Sequence, residues 1–376
     1  MSEGSTSIDW LMGPPARVQP YFGHRSGQRI RLSARVLRAP PHEYSHGATW
    51  QKMRSMWHHF ASREVANQKV VLEIPCKDAK PETFELVSDH EGYVHFDVTA
   101  ARAMDVPSAT MWEELALSWF NRAGQQTAPA HVLTPGSGTA LGVISDVDDT
   151  IVETGITGGI GSALRNWRRL LAQMPEERDM VGGADAFYGM LGSGGADSGA
   201  TPRPHAIAAT VNPFFYVSSS PWNLYSYLVE YKRAKGLPLG PIALRDWGLN
   251  RATLGSASHG EHKRAAIAAI LDMHTRLRFV LIGDDTQGDL PAYAEIAREH
   301  GDRIAAIFIR KAGAPLSPEE LSAKNTIAAA DIPLWLGEDF AEAGDLARQV
   351  GLVSTQKADA IVETMVAAEQ GATSPP

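Results

Sequence analysis

The sequence contains one cysteine, Cys76, in 376 residues. A disulfide within the chain and a thiolate metal cluster both need at least two cysteines, so both are excluded. Long apolar runs are also missing, because no stretch approaches the roughly 18 apolar residues that a membrane-spanning helix requires. The first residues, Met-Ser-Glu-Gly, lack a basic region followed by an apolar one. This pattern predicts a chain without a cleaved secretory signal and with a cytoplasmic location.

Positive charge is in the minority. The chain has 35 Lys and Arg residues against 43 Asp and Glu residues, which gives a formal net charge of −8. An acidic balance does not favour a nucleic-acid partner, which is itself an anion. Hydrophobic residues make up 44% of the chain and charged residues 21%, values typical of a soluble globular protein. A length of 376 residues exceeds one ordinary core and predicts two domains.

The first third of the chain alternates apolar and polar residues, as half-buried strands do. Strands are predicted at residues 29–36, 69–74, 82–87 and 93–98. Between the first two, apolar residues recur at helical spacing and predict a helix face that packs on a core or, alternatively, contacts a membrane or a partner: Trp50, Met53, Trp57 and Phe60. We therefore predict a β-rich domain over residues 1–125. A linker rich in Gly, Thr, Ala and Pro is predicted over residues 126–140.

The pattern changes after residue 140. Apolar runs at residues 141–145, 214–217, 279–282 and 304–309 alternate with helical patterns at residues 223–234 and 262–273. Such alternation predicts an α/β domain over residues 141–355, with a parallel sheet and helices on both faces. Residues 356–376 are predicted to form a helical or frayed tail.

Two carboxylates follow the first strand of the α/β domain. Asp146 and Asp148 come directly after residues 141–145 and are separated by one residue. Ligands of open parallel sheets bind beyond the carboxyl ends of the strands, so both side chains are expected to face a common cavity. Mg²⁺ prefers oxygen ligands and commonly takes one or two carboxylates with phosphate oxygens. The pair predicts a Mg²⁺ site, although aspartates here also serve as turn formers and helix caps.

Two further positions carry groups suited to phosphate. Ser218 follows the strand at residues 214–217, where a hydroxyl and backbone amides can bind phosphate oxygens; alone, it could equally cap the next helix. Lys263 is predicted near the start of the helix at residues 262–273, where the macrodipole disfavours a cation unless acids or phosphate lie nearby. An ordinary surface lysine is the alternative for Lys263.

A second acidic loop follows the strand at residues 279–282. It contains Asp284 and Asp289, whose carboxylates are expected to complete a metal site, although a polar turn would also explain them. The four loops together are harder to explain by local structure: Asp-x-Asp-x-Thr, Ser, Lys and Gly-Asp-x-x-x-x-Asp follow one another in this order. The sequence therefore predicts an active site where these loops converge.

This order resembles the four motifs of the haloacid dehalogenase (HAD) superfamily and implies a HAD-like Rossmannoid sheet. Three segments look like the actin-patch-associated phosphatidate phosphatase family: Ile-Ser-Asp-Val-Asp-Asp-Thr-Ile-Val-Glu-Thr-Gly at 144–155, Tyr-Val-Ser-Ser-Ser-Pro-Trp-Asn-Leu at 216–224 and Leu-Ile-Gly-Asp-Asp-Thr-Gln-Gly-Asp at 281–289. The resemblance covers about residues 140–312, and the first third looks like the β-rich region that precedes this domain in bacterial relatives. The chain departs from the family in its last motif, where the family usually has Asp-Ser-Gly-Gln-His-Asp.

The resemblance implies a phosphatase that works through an aspartyl-phosphate. Asp146 would be the nucleophile, while Asp148 would protonate the leaving oxygen and then activate water. Mg²⁺ would be bound by the Asp146 carboxylate, the Asp148 backbone carbonyl and Asp284.

Four other roles follow from the same resemblance. Ser218 and Lys263 would bind the oxygens of the transferring phosphoryl group. Asp289 would orient the metal ligands without binding the ion. Thr150 would fix the turn that follows the first motif.

The resemblance also implies an anionic phospholipid as the phosphorylated partner, with phosphatidate converted to diacylglycerol and phosphate. Residues 164–171 would place arginines on one helix face and apolar residues on the other, which suits peripheral contact with an anionic membrane or, alternatively, an ordinary amphipathic helix. Two other functions stay open. One is a HAD phosphatase for a small soluble phosphoester, and the other is a non-catalytic HAD-fold binding module.

Overall fold

A computed structural model of the protein describes residues 14–38, 63–76, 80–147, 181–193, 207–245, 257–286, 288–311 and 315–353. The chain divides into two compact units. The β unit comprises residues 1–107 and 111–134, and the α/β unit comprises residues 108–110 and 135–376. Among the described residues, no helix combines the length and apolar character needed to cross a membrane.

The β unit is a sheet whose strands surround one apolar core. Over its described residues the strands are β1 (Ala16–Pro20), β2 (Gly23–Ser26), β3 (Arg29–Arg38), β4 (Arg63–Glu64), β5 (Lys69–Ile74), β6 (Glu82–Val87), β7 (Tyr93–Thr99), β8 (Met111–Asn121) and β9 (Gly124–Thr134). They pair in the order β1-β3-β2-β9-β8-β5-β6, and β4 and β7 also pair with β3. Alternate residues, such as Ile30, Leu72 and Leu117, point into a shared apolar core. This alternation is the pattern that predicted the strands.

The four strands predicted in this unit are confirmed, and the bounds of β5 and β6 match the prediction. The predicted linker is wrong over residues 126–134, because this segment belongs to β9 and pairs with β8 along its whole length. Small and polar residues on its exposed face hid the strand, while Ala130 and Val132 reach the core. The unit boundary falls after Thr134. The predicted helix face around Trp50 lies outside the described residues.

The α/β unit alternates strands and helices as predicted. Its described strands are β10 (Leu141–Asp146), β11 (Phe214–Pro221), β12 (Ile242–Arg245), β13 (Arg278–Asp284), β14 (Ile304–Arg310) and β15 (Leu334–Gly337). Its described helices are α1 (Ala184–Ser193), α2 (Tyr225–Ala234), α3 (Ala257–Met273), α4 (Asp289–His300), α5 (Pro318–Ala329) and α6 (Phe340–Gln349), with 3-10 turns at Trp222–Leu224 and Gly301–Arg303. The strands are parallel, in the order β12-β11-β10-β13-β14-β15.

Helices cover both faces of this sheet. Tyr188 of α1 stacks on Phe214, with ring centroids 5.7 Å apart. Phe215, the next residue of β11, points to the opposite face and packs in one apolar cluster with Ile267 of α3 and Ile296 of α4. Burial on both faces explains why the strands read as continuous apolar runs.

The strand order of the sheet reverses at β10. After β10 the chain builds β11 and β12 on one side of that strand, and β13, β14 and β15 lie on the other side. The point where the strand order reverses is where open parallel sheets bind ligands, beyond the carboxyl ends of the strands. The last residues of β10 and β13 are Asp146 and Asp284.

Candidate active site

Asp146 ends the central strand and is fully buried. The preceding residue anchors it: the Ser145 hydroxyl donates to the Asp146 carbonyl at 2.6 Å and lies 2.7 Å from the Tyr188 hydroxyl. Because Ser145 uses its proton on the carbonyl, Tyr188 must donate to Ser145. Burial raises the pKa of Tyr188, with a further contribution from the Asp146 charge, so Tyr188 keeps the proton that it donates.

Asp284 reaches the same edge from β13. Ser145 pairs with Ile282 across the two parallel strands, so Asp146 and Asp284 extend beyond the same part of the sheet. Asp284 is almost fully buried. The Thr286 backbone N–H and hydroxyl donate to Asp284 Oδ1 at 2.6 and 2.5 Å. Burial raises the pKa of Asp284, and the neighbouring Asp289 charge raises it further.

Asp289 is the first residue of α4, and its two carboxylate oxygens link Lys263 to the backbone of Asp284. Its Oδ2 accepts the backbone N–H of Asp284 at 3.1 Å, and its Oδ1 accepts a short hydrogen bond from the Lys263 ammonium. This approach requires glycine at position 283, because a Cβ there would collide with Asp289 Oδ2. A carboxylate in the first turn also suits the positive end of the helix macrodipole.

Lys263 lies between two of the carboxylates. Its Nζ is 2.9 Å from Asp146 Oδ1 and also pairs with Asp289, and its side chain is 1% exposed. Burial alone would lower the pKa of Lys263, but the charges of Asp146, Asp289 and Asp284 outweigh it and raise the pKa. The ammonium therefore stays charged beside Asp146.

The expectation that Lys263 opens its helix is wrong, because α3 runs from Ala257 to Met273. Lys263 lies in the second turn, where the macrodipole penalty is smaller. Residues such as Ser258 and Gly260, which are poor helix formers, hid the first turn in the sequence.

Among the residues that the structure describes, the site carries more negative than positive charge. Carboxylate oxygens of Asp146, Asp284 and Asp289 lie within 4.8 Å of one another, and all three residues are buried. One ammonium, that of Lys263, ion-pairs with two of them. With every group ionised the sum is −2, which a divalent cation would balance. Clustered carboxylate oxygens are also the ligands that Mg²⁺ prefers, so the residues fit such an ion.

Ser218 lies at the same edge, on the other side of β10. Val217 pairs with Asp146, so Ser218 stands one residue further along β11. The expectation that the strand stops at residue 217 is wrong: β11 continues to Pro221, and its register with β12 shifts after Val217. The Ser218 side chain is buried, and its hydroxyl oxygen accepts the Ser220 N–H at 3.0 Å.

The structure thus brings together four of the predicted residues, Asp146, Lys263, Asp284 and Asp289, and places Ser218 beside them in register. The predicted positions Asp148 and Thr150, and residues 164–171, lie outside the described residues. Thr286 and Tyr188 also contact the site, and neither was predicted from the sequence. A hydroxyl two residues after an aspartate is a common local pattern that could have indicated Thr286. Tyr188 is 43 positions from its partner Ser145 and has no such signal.

One family matches the part of the chain that forms this site. Residues 141–311 match the family model described as the catalytic domain of phosphatidate phosphatase APP1. The match spans each of the site residues named above, and it confirms the resemblance predicted from the motifs.

Individual relatives extend beyond that range. The phosphatidate phosphatase APP1 of Saccharomyces cerevisiae is 25% identical over 310 residues, which cover 82% of this chain and 49% of that protein. An uncharacterized protein of Schizosaccharomyces pombe is 28% identical over 174 residues, or 45% of this chain and 25% of that protein. The matched region therefore spans half or less of each of these relatives.

Among solved structures, one of a Parabacteroides merdae β-glucuronidase aligns with this chain, and the alignment covers 85% of this chain and 39% of the β-glucuronidase chain. The TM-score is 0.23 and the sequence identity 8%, and so low a TM-score carries no argument about the fold.

Proposed function

We propose that the protein is a Mg²⁺-dependent phosphomonoester hydrolase with a HAD-like Rossmannoid catalytic domain, and that its substrate is phosphatidate. One observation carries the proposal. A buried aspartate paired with a lysine, and two further buried aspartates, lie at the switch point of a parallel sheet. The segment that supplies them matches the catalytic domain of a phosphatidate phosphatase family.

Asp146 is the nucleophile in this mechanism. Its carboxylate attacks phosphorus and forms an aspartyl-phosphate as the bond to the leaving alcohol breaks. Asp148 gives a proton to the leaving oxygen and later takes one from the water that hydrolyses the intermediate. The second step returns Asp146 as a carboxylate and releases phosphate.

The neighbours of Asp146 prepare it for an anionic substrate. Lys263, 2.9 Å from Asp146 Oδ1, orients the nucleophile and offers positive charge to the phosphoryl oxygens. Ser218, one residue beyond the partner of Asp146 in register, offers a hydroxyl to the same oxygens. The Tyr188–Ser145 pair holds the backbone of the strand end, so that the nucleophile stays in place.

Asp146 and Asp284 would hold Mg²⁺ through their carboxylates, and the Asp148 backbone carbonyl would be a third ligand by resemblance to the family. When bound, it neutralises phosphate charge so that a carboxylate can approach. Asp289 orients Lys263 and Asp284 without binding the ion itself. One of its oxygens accepts a hydrogen bond from the Lys263 ammonium, and the other accepts one from the Asp284 N–H.

The proposal of a lipid substrate rests on the family match and on the name of the yeast relative. A phosphatidate headgroup lies at a membrane surface, so turnover requires peripheral contact with the bilayer. A small soluble phosphoester needs the same chemistry without that contact, and a substrate comparison separates the two.

The test compares the wild-type protein with Asp146→Asn in Mg²⁺-dependent release of phosphate. Substrates are phosphatidate in phosphatidylcholine vesicles and a panel of soluble phosphoesters. We expect release from the vesicles, its loss with a chelator, and a decrease of at least about 10³-fold in Asp146→Asn. Asp302→Asn, at an exposed aspartate of the same unit, should keep full activity.

Three results would count against this function. Full activity of Asp146→Asn would exclude the proposed nucleophile. Turnover of a soluble ester with inert vesicles would replace the lipid by the soluble substrate class. Absence of release from every ester would favour the binding module.

A further inference from the structure

Thr286 lies in the loop after β13 and turns back on the last residue of that strand. Its backbone N–H and its hydroxyl donate to the same oxygen, Asp284 Oδ1, at 2.6 and 2.5 Å. Hydrogen bonds to an ionised oxygen are roughly twice as strong as neutral ones. Asp284 is buried, whereas Thr286 itself is exposed. A surface residue thus fixes one oxygen of a buried carboxylate.

Asp284 needs such fixing because of its neighbours. Its carboxylate lies with those of Asp146 and Asp289, within 4.8 Å. Lys263 ion-pairs with these two, at Asp146 Oδ1 and Asp289 Oδ1. Repulsion from two carboxylates favours rotation of the third one away from them. Two donors on Oδ1 oppose that rotation.

The two bonds also distinguish the two oxygens of Asp284. A carboxylate oxygen has two in-plane lone pairs, and Thr286 uses both on Oδ1. Asp284 would therefore be held in one orientation for a cation that binds beside it. We propose that the Thr286 hydroxyl is a positioning group that holds Asp284 for the metal ion, an inference that rests on the proposed function.

The hydroxyl can be tested separately from the backbone. Thr286→Val keeps the shape and the N–H donor but removes the hydroxyl, Thr286→Ala removes the hydroxyl together with the methyl group, and Thr286→Ser keeps the hydroxyl. Because the side chain is exposed, none of the three opens a cavity. Thr326→Val is the matched control: the Thr326 hydroxyl donates to the Ser322 carbonyl at 3.0 Å within α5.

The first readout is Mg²⁺ binding without substrate, measured on the full chain as the rise of the unfolding midpoint with Mg²⁺ concentration. The second is the Mg²⁺ concentration that gives half-maximal hydrolysis of the best substrate. Loss of a partner that orients a metal ligand typically weakens metal affinity about 10–100-fold. We expect Thr286→Val and Thr286→Ala to need about 10-fold more Mg²⁺ in both readouts. Thr286→Ser and Thr326→Val should stay within about 2-fold of wild type.

A purely structural role would give a different pattern. It would lower the midpoint of Thr286→Val without Mg²⁺ and leave the Mg²⁺ concentration dependence unchanged. That result, or an equal loss in Thr286→Ser, overturns the positioning role while wild-type activity still supports the proposed function. A wild type that binds Mg²⁺ but hydrolyses no ester removes the proposed function, and the binding series still decides the role of Thr286. A wild type without any Mg²⁺ response overturns both.

Discussion

Arg25 in the β unit and Lys263 in the α/β unit are both buried cations, with side chains 2% and 1% exposed. Arg25 faces one carboxylate, Glu113, through two hydrogen bonds of 2.5 and 2.6 Å. Two further N–H groups of Arg25 donate to the carbonyls of Gly27 and Asp105. Lys263 instead faces two carboxylates, with Asp284 beside them.

The two networks differ in their balance of positive and negative charge. In the β unit one positive charge meets one negative charge, and two backbone carbonyls accept further hydrogen bonds from the guanidinium, which is the arrangement of a structural pair. Over the described residues of the α/β unit, three buried carboxylates lie together and one ammonium pairs with two of them. Burial and the Asp289 charge raise the pKa of Asp284, so both disfavour its ionised form. An unbalanced buried cluster reduces stability unless a further cation binds. Excess buried charge of one sign therefore distinguishes the candidate active site from a structural ion pair.

The largest expected effect is that of Lys263→Met. It leaves the carboxylates of Asp146 and Asp289 buried without their cation, which typically costs about 3–5 kcal/mol of unfolding free energy. Urea denaturation in a chelator measures the loss, and saturating Mg²⁺ should restore part of it. Lys324→Met, at an exposed lysine of α5, should change little. A loss below about 1 kcal/mol would mean that the cluster does not depend on this ammonium.

Arg25→Met should cause the second-largest loss of unfolding free energy, about 3 kcal/mol, because it leaves Glu113 without its partner in a partly buried site. The double variant Arg25→Met/Glu113→Leu should regain much of the loss, since it also removes the uncompensated carboxylate. Phosphate release per folded molecule should stay at the wild-type level. Denaturation with parallel activity assays tests both points. No recovery in the double variant would contradict the structural-pair interpretation.

Asp284→Asn should raise the free energy of unfolding, whereas the two preceding variants lower it. Without Mg²⁺ it removes one buried charge, keeps an oxygen for the Thr286 donors, and should stabilise the fold by about 1 kcal/mol. A raised folded-state pKa means that wild-type stability is greatest below the ordinary aspartate pKa of about 4 and declines as pH rises toward the folded-state value. The gain of Asp284→Asn should therefore appear as the pH increases. Melting curves across pH, with and without Mg²⁺, test this, and destabilisation at neutral pH in a chelator would contradict it.

Asp97→Asn should have the smallest effect. Asp97 accepts hydrogen bonds from Arg29 at 2.7 and 2.8 Å and from Arg31 at 2.8 Å, but it is 37% exposed. The Arg29 hydrogen bond is the main cause that lowers the pKa of Asp97 to about 2, so its contribution is present above about pH 4 and lost as pH falls. Solvent screening limits it to about 0.2–1 kcal/mol at neutral pH. Salt should reduce the difference between Asp97→Asn and wild type, and the exposed control Glu114→Gln should show none.

The sequence by itself determined the α/β alternation, most of the candidate site residues and eight of the described strands, namely β3, β5, β6, β7, β10, β11, β13 and β14. Strands β5 and β6 were predictable because apolar and polar residues alternate within six positions. Asp146 and Asp284 were predictable because they directly follow apolar runs, and parallel strands end at a common edge. These features are local, and local patterns suffice where one face of a strand must be buried.

Only the tertiary structure decided how these residues pair. Lys263 reaches Asp289 across 26 positions, and Tyr188 reaches Ser145 across 43. The strand β9 was hidden for the same reason, since its pairing with β8 makes a strand of a segment whose composition indicates a linker. Contacts between distant segments depend on strand order and register, which residue periodicity within one segment does not specify.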